Sequence, residues 1–342
     1  MSRSLVVQTS FLGDMILTTA LLRALAVRGP VDVVATPANA DLLAHHPAVR
    51  HVYRYDKRGT HSGVGGFRAV VQQARALDRS DVAYLAQGSV RSAALALAAG
   101  FERRVGFSTS AGRFLYTEQR AHVRDQHHAE RLWRLAAGDD AAPPASTTIR
   151  PSLHPGAEEE DAVQRLLDAN GHAGEPLLAI APGSVWATKR WPHFAALSRR
   201  LAALGRVVVL GSAGDQPLAE AIGTEVFGHV IDATGRLSLL GSAALLRRAR
   251  VLVTNDSAPL HLASAMDTPT VALFGPTVPA FGFGPLATAH RVAEVEMLSC
   301  RPCDAHGPRS CPLGHWRCMR DLTVAAVSQA VDEVRRAMDV SA

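Results

Sequence analysis

The run Leu177–Pro192, LLAIAPGSVWATKRWP, decides the fold. Leu177 to Ala181 read as a buried strand, Gly183 turns the chain into a polar loop, and a helical pattern begins at His193. A strand that passes through a glycine turn into a helix is the unit from which α/β proteins build phosphate sites. The loop carries Lys189, one of two lysines in a chain whose other 34 basic residues are arginine. An ammonium is a compact charge on a flexible stem and a guanidinium is a rigid fork, so a lysine here suits contact with a leaving phosphate oxygen. An ordinary surface lysine is the plainer alternative. Ser184 supplies a further donor, Trp186 and Trp191 read as apolar walls or as packing, and Pro192 reads as the first helical position.

The same strand–helix theme extends on both sides of this run. Downstream, strands at Leu177–Ala181, Val207–Gly211, Val251–Asn255 and Thr270–Phe274 alternate with helices at His193–Leu204, Gln216–Phe227 and Leu239–Arg248. Upstream, strands at Leu5–Val7, Val31–Ala35, Val52–Tyr55 and Val82–Leu85 alternate with helices at Met15–Arg28, Phe67–Asp78 and Val90–Ala99, followed by a helix at Gln126–Ala137. Between them Gly138–Gly156 loses periodicity and fills with proline and small residues, as an interdomain linker does. A chain of 342 residues suits two domains. The expectation is an α/β protein with two Rossmann-like parallel-sheet domains, residues 1–150 and 151–342, facing a central cleft.

Composition narrows the partners. The first 28 residues lack the cleavage site of a signal peptide. The uncharged run Thr268–His290 is interrupted by four prolines, so no transmembrane segment is expected and the chain reads as cytoplasmic. Residues up to Arg150 hold 19 basic and 12 acidic side chains and the remainder 17 and 19, so the first half is electropositive and suits an anionic partner such as a phosphorylated lipid surface. Nucleic acid is disfavoured, because no binding motif accompanies the charge. There is also no spaced-glycine dinucleotide turn and no Walker loop, which argues against hydride transfer and P-loop chemistry.

Three further clusters hold candidate chemistry. In Gln8–Asp14, QTSFLGD, Asp14 follows the first strand and reads either as the N-cap of the next helix or as a general base held at a strand's carboxyl end. In Val253–His261, VTNDSAPLH, a strand ends at Asn255 and Asp256 and a short helix starts with Ser257 as cap. Its first-turn amides and dipole form an anion site, while Asp256 would repel phosphate and suits sugar hydroxyls. His261 reads as a ligand contact or as a buried helix histidine. All four cysteines, Cys300, Cys303, Cys311 and Cys318, fall in one short run, where the spacing fits a structural zinc knot, with His306 and His315 as substitutes, or a cluster of reduced thiols.

Taken in order, LGDM at Leu12–Met15, PGSVWATKRWP at Pro182–Pro192, LGSAGD at Leu210–Asp215, TNDSAPLHLASA at Thr254–Ala265 and ALFGPT at Ala272–Thr277 resemble the family 9 glycosyltransferases, the ADP-heptose:lipopolysaccharide heptosyltransferases. The resemblance covers nearly the whole chain. It implies a GT-B fold with the acceptor on the N-terminal domain and the nucleotide sugar on the C-terminal one. It further implies an inverting, metal-independent transfer of heptose from ADP-heptose to an anionic lipopolysaccharide inner core at the cytoplasmic face of the inner membrane, with no catalytic cofactor. Asp14 then matches the catalytic aspartate and Lys189 the lysine on the donor diphosphate. Ser184 lies in the phosphate segment, Asp256, Ser257 and His261 match the donor-binding turn, and Asp215 lies where ribose hydroxyls are held. Ala258 stands where the family usually has glycine, which puts the donor sugar in question. The basic, glycine-rich run Lys57–Gly66 suits a loop closing over the acceptor. An epimerase of related fold and a catalytically silent nucleotide-sugar binder are the competing classes.

Overall fold

The computed structural model describes residues 3–76, 82–226 and 228–339, which form two compact units, Met1–His154 and Pro155–Ala342. In the first unit the order is β1 (Ser4–Gln8), α1 (Leu12–Ala26), β2 (Val31–Ala35), α2 (Pro37–Asp41), β3 (Val49–Arg54), α3 (Gly63–Ala76), β4 (Val82–Leu85), α4 (Val90–Ala98), β5 (Arg103–Phe107), β6 (Glu118–Arg120), α5 (His128–Ala137) and α6 (Ser146–Ile149). Its six strands are parallel in the order β3-β2-β1-β4-β5-β6. The second unit runs α7 (Ala157–Ala169), β7 (Leu177–Ala181), α8 (Phe194–Leu201), β8 (Arg206–Val209), α9 (Gln216–Glu225), β9 (Val230–Asp232), α10 (Leu239–Arg248), β10 (Ala249–Asn255), α11 (Ala258–Met266), β11 (Thr270–Phe274), β12 (His290–Glu294), α12 (Arg317–Arg320) and α13 (Val324–Asp339). Its sheet is ordered β12-β11-β10-β7-β8-β9, again all parallel.

Each order reverses once, between β1 and β4 in the first sheet and between β7 and β10 in the second. Crossovers from these two neighbours leave on opposite faces, so a crevice opens beyond their carboxyl ends. The sequence clusters sit there: Asp14 follows β1, Lys189 follows β7, and Asp256 follows β10. The strands at the switch points are apolar and buried along their length, as strands covered on both faces must be. Each fully buried Leu or Ile of these cores contributes roughly 1.5–3 kcal/mol.

Several boundaries differ from expectation. Helix α1 begins at Leu12, three residues before Met15, because Gly13 is helical rather than a turn residue. Helix α3 starts at Gly63, so Gly63, Gly65 and Gly66 of the Lys57–Gly66 run lie in a first helical turn, and only Gly59 lies in the turn before it. A Cβ at Gly66 would stand 2.2–2.5 Å from backbone atoms of His61, so this glycine serves close packing. Residues 77 and 78 of the expected helix Phe67–Asp78 and residue Phe227 of Gln216–Phe227 lie outside the described residues. Helix α8 starts at Phe194 with His193 as its N-cap, which leaves Pro192 outside the helix. The Gly138–Gly156 stretch contains α6 and is laid on the first unit, where Arg23 donates to the Thr147 and Thr148 carbonyls and Ser152 N donates to Thr19 Oγ1.

Candidate active site

At the first switch point, β1 ends in Gln8 and the chain reaches α1 through Thr9, Ser10 and Phe11. Phe11 is the N-cap and makes no side-chain cap bond, while Asp14 lies inside the first turn. The N-cap reading of Asp14 is therefore wrong, because the helix starts before it. Its carboxylate is held instead from two sides. Ser10 Oγ lies 2.6 Å from Asp14 Oδ2, and His128 Nε2, on the first residue of α5, lies 3.6 Å from Oδ1. Arg131, one turn further along α5, is buried; burial lowers its pKa and the Asp14 charge opposes that shift. Lys57, the second lysine, reaches back to the same loop and donates to the Thr9 carbonyl at 2.7 Å. Burial and the nearby Arg58 and Arg91 lower its pKa.

At the second switch point Lys189 is buried, and its ammonium donates to Asp256 Oδ2 at 2.7 Å. Thr277 Oγ1 donates to the same oxygen, also at 2.7 Å. The residues assigned separately to phosphate and to sugar are thus bonded to each other. Both bonds fall on Oδ2, and Oδ1 accepts none from the described residues. Ser257 is the N-cap of α11 by position, yet its hydroxyl makes no cap bond and instead lies 3.3 Å from the Asn255 carbonyl. Pro259 has no amide proton, and Leu260 N bonds back to Ser257 O. The amides left without a partner among the described residues are those of Ser257 and Ala258, at the positive end of the α11 dipole. His261 is buried, 5% exposed, with its ring edge-on to Phe283 at 6.2 Å.

Asn255 holds the Lys189 loop in place and was not singled out from sequence. Fully buried, it accepts from Trp191 N at 3.1 Å and donates to the Pro182 carbonyl at 2.8 Å, so one amide pins both ends of the loop. The loop's own residues divide clearly. Ser184 is half-buried and its carbonyl accepts from Arg190, whereas Trp191 is core, with its indole donating to Leu322 O and its ring against Phe194. Trp186 is half-buried. Asp215 stands beside the loop, with Oδ2 accepting from Ser212 N and Oγ; a Cβ on Gly183 would come within 2.3 Å of its Oδ1. That contact explains the glycine.

The cysteine-rich run braces this site from behind. Thr188 Oγ1 donates to the Pro308 carbonyl, Gly307 packs on the Lys189 stem, and Arg301 donates to the carbonyls of Phe274, Gly275 and Thr277 and to Glu294. The four thiols are all free. Cys300 Sγ lies 3.8 Å from His315 Nε2, and burial followed by the neighbouring thiols pushes Cys318 up to about 11. Among the described residues no three His, Cys, Asp or Glu side chains are arranged to hold a metal ion. No described helix is long and apolar enough to cross a membrane.

Comparison with known proteins bears on this geometry. The model of Glycosyltransferase family 9 (heptosyltransferase) matches residues 70–315. Lipooligosaccharide heptosyltransferase 2 of Haemophilus influenzae is 27% identical over 349 aligned positions, covering 96% of this chain and 98% of its own. A solved glycosyl transferase family 9 protein from Veillonella parvula superposes with a TM-score of 0.87 at 22% identity, covering 98% of both chains. The E. coli ADP-heptose lipopolysaccharide heptosyltransferase II superposes with a TM-score of 0.77 at 24% identity, covering 99% of this chain and 100% of that one. The fold is that of these transferases, the two-sheet GT-B class. With more than two thirds of its length matched by the family model, the chain belongs to glycosyltransferase family 9, the heptosyltransferases.

Proposed function

We propose that this protein transfers a heptose from ADP-heptose to a hydroxyl of an anionic lipopolysaccharide inner core, with inversion and without a catalytic metal. The observation that carries the reading is the pairing of opposite chemistries at the two switch points. One unit offers a carboxylate, Asp14, and the other offers an ammonium, Lys189, with the two unpaired amides of Ser257 and Ala258. The names of the relatives point to the same donor and acceptor class.

In this mechanism Asp14 takes the proton of the acceptor hydroxyl. The freed oxygen pair forms a bond to the anomeric carbon from the face opposite ADP, and the bond to the phosphate oxygen breaks with its electrons going to the diphosphate. Lys189 has three N–H donors and uses one on Asp256, so two are available to the leaving phosphate oxygens. With the Ser257 and Ala258 amides they meet the developing charge, the task a metal performs in other transferases. Asp256 Oδ1 and Asp215 are the acceptors for sugar and ribose hydroxyls, and Ser184 and His261 line the donor. The Cβ of Ala258 stands beside the diphosphate and tunes donor fit. Lys57 and Arg91 have no carboxylate partner among the described residues and receive the acceptor's anionic groups, and the reaction takes place at the cytoplasmic face of the inner membrane, a reading that the acceptor class in the relatives' names supports. The spacing of the four cysteines suits a structural zinc knot or a cluster of reduced thiols, but among the described residues they are not gathered with other ligands around one point, so no metal role is assigned to them; elemental analysis of freshly reduced protein decides between the two.

The test is Asp14→Asn. Because Asp14 does not cap α1, the variant is expected to fold and to bind ADP like the wild type, with turnover lower by about 10²–10⁴. Calorimetry across ADP, UDP, GDP and NAD is expected to favour ADP. A variant that binds ADP and still transfers within a few-fold of wild type sends the search for the base elsewhere.

A further inference from the structure

We propose that Thr277 is a positioning residue for the donor diphosphate: its hydroxyl steadies the Asp256 carboxylate and so frees part of the Lys189 ammonium for phosphate. The inference rests on the reading of Lys189 and Asp256 as donor groups. Asp256 follows β10, and Thr277 follows β11, the parallel neighbour of β10. The exit of β11 is held in shape by the start of the cysteine run. Arg301 Nε donates to the Gly275 carbonyl at 2.6 Å, and one of its terminal nitrogens lies 3.0 Å from the Thr277 carbonyl and 2.7 Å from Glu294 Oε2. Between them Cys303 N donates to the Pro276 carbonyl at 2.8 Å. With these three carbonyls tied, the Thr277 side chain stands where its Oγ1 donates to Asp256 Oδ2 at 2.7 Å, and both residues are buried.

Asp256 Oδ2 therefore takes two hydrogen bonds of equal length, a charged one from Lys189 Nζ and a neutral one from Thr277. The protons balance: the threonine hydroxyl has one and gives it here, the ammonium has three and gives one, and the carboxylate only accepts. The two bonds act differently on a ligand. An ammonium that is the sole donor to a buried carboxylate is drawn hard against it, because an unsatisfied buried charge is costly, and a phosphate must then compete for it. A second donor on the same oxygen lowers that cost, so Lys189 can lean toward an arriving diphosphate without stranding Asp256. Thr277 has no charge of its own to attract phosphate and works through Asp256. The stem of Lys189 packs on Gly307, which leaves the head as the part that turns. Because the ammonium's task ends at the phosphates, the adenosine part of the donor is indifferent to Thr277.

The experiment measures ADP and adenosine affinity by calorimetry, with urea midpoints alongside, for wild type, Thr277→Val, Thr277→Ala, Thr277→Ser and the double variant Lys189→Ala with Asp256→Asn, the last also carrying Thr277→Val. Thr277→Val keeps the shape and removes the donor. It is expected to bind ADP about tenfold more weakly, the size of one hydrogen bond to a charged group, and adenosine within about twofold of wild type. Thr277→Ala gives the same reading if valine is not accommodated, and Thr277→Ser restores ADP affinity. In the double-variant background Thr277→Val should cost no further ADP affinity, since the pair it acts through is gone. If the double variant binds ADP poorly while Thr277→Val and Thr277→Ala match wild type, this inference falls and the donor-site reading stands. If the double variant binds ADP as wild type does, the donor-site reading fails first and takes this inference with it. A Thr277→Val that weakens ADP and adenosine alike, or that serine does not rescue, would make Thr277 merely structural and overturn the proposal.

Discussion

Lys189 shows how far a single residue can be read before its surroundings are known. Its rarity in an arginine-rich chain and its place after a strand marked it from sequence alone. Its partner could not be read, because Asp256 is 67 residues away and reaches it only when β10 lies beside β7. The pairing alters what a mutation reports. Lys189→Ala removes the proposed phosphate contact but also strands a buried carboxylate with Thr277 as its remaining donor, which costs about 3–5 kcal/mol of stability. Lys189→Ala is therefore expected to lower both the urea midpoint and ADP affinity, and Lys189→Ala with Asp256→Asn to recover the midpoint without the affinity. Lys189→Arg is not expected to recover full rate, because a fork does not replace a point charge. Equal ADP affinity in wild type and the double variant, by calorimetry, would remove Lys189 from the phosphate site. His128 was missed for a different reason: it falls in the first turn of the helix expected at Gln126–Ala137 with no partner nearby in sequence, and only the packing of α1 on α5 brings it to Asp14.

At the level of elements, legibility followed apolarity. The central strands β1, β2, β7, β10 and β11 are buried stretches dominated by Val, Leu, Ile and Ala and were visible as such. Strands β5 (RRVGF), β6 (EQR), β9 (VID) and β12 (HRVAE) escaped because they are short or carry charged residues at partly exposed positions, so their sequences carry little hydrophobic signal. Helix α7 was hidden by its opening charges, AEEED. The least legible device is Asn255, since an asparagine at a strand end ordinarily suggests a turn. Here its amide joins two ends of the donor loop, and Asn255→Ala leaves Trp191 N and the Pro182 carbonyl without their partner. At about 1 kcal/mol for each of these bonds and more for groups left buried, the variant is expected to lose roughly 2–4 kcal/mol. Denaturant titration checks the loss, and ADP affinity should fall further than stability alone accounts for. An ADP Kd unchanged from wild type would show that the loop keeps its shape without the clamp.

For the whole molecule, acid is the condition that reports on the first unit. His46 is buried, and burial, with His154 and Arg23 nearby, lowers its pKa to about 4. Its Nδ1 accepts from Ala48 N, a role a protonated ring gives up. The folded value lies below the unfolded one near 6.5, so the unfolded chain takes up the proton first. The stability tied to neutral His46 is present above about pH 6.5 and is lost as pH falls toward 4, on the order of 3 kcal/mol in total. Urea unfolding of the wild type at pH 7.5 and 4.5, set against His46→Gln, checks this: the variant's stability should change less between the two. Equal pH dependence would assign the effect elsewhere. The brace behind the donor loop matters on another scale, that of synthesis. Trp191 leaves the ribosome 131 residues ahead of Leu322, whose carbonyl receives its indole, and Thr188 leaves 120 residues ahead of Pro308. A growing chain therefore carries Lys189 long before the wall that holds it upright. On the donor-site reading proposed above, nucleotide affinity belongs to finished chains, and a ribosome stalled short of the cysteine run carries both sheets' central strands without the contacts behind Lys189 and Trp191.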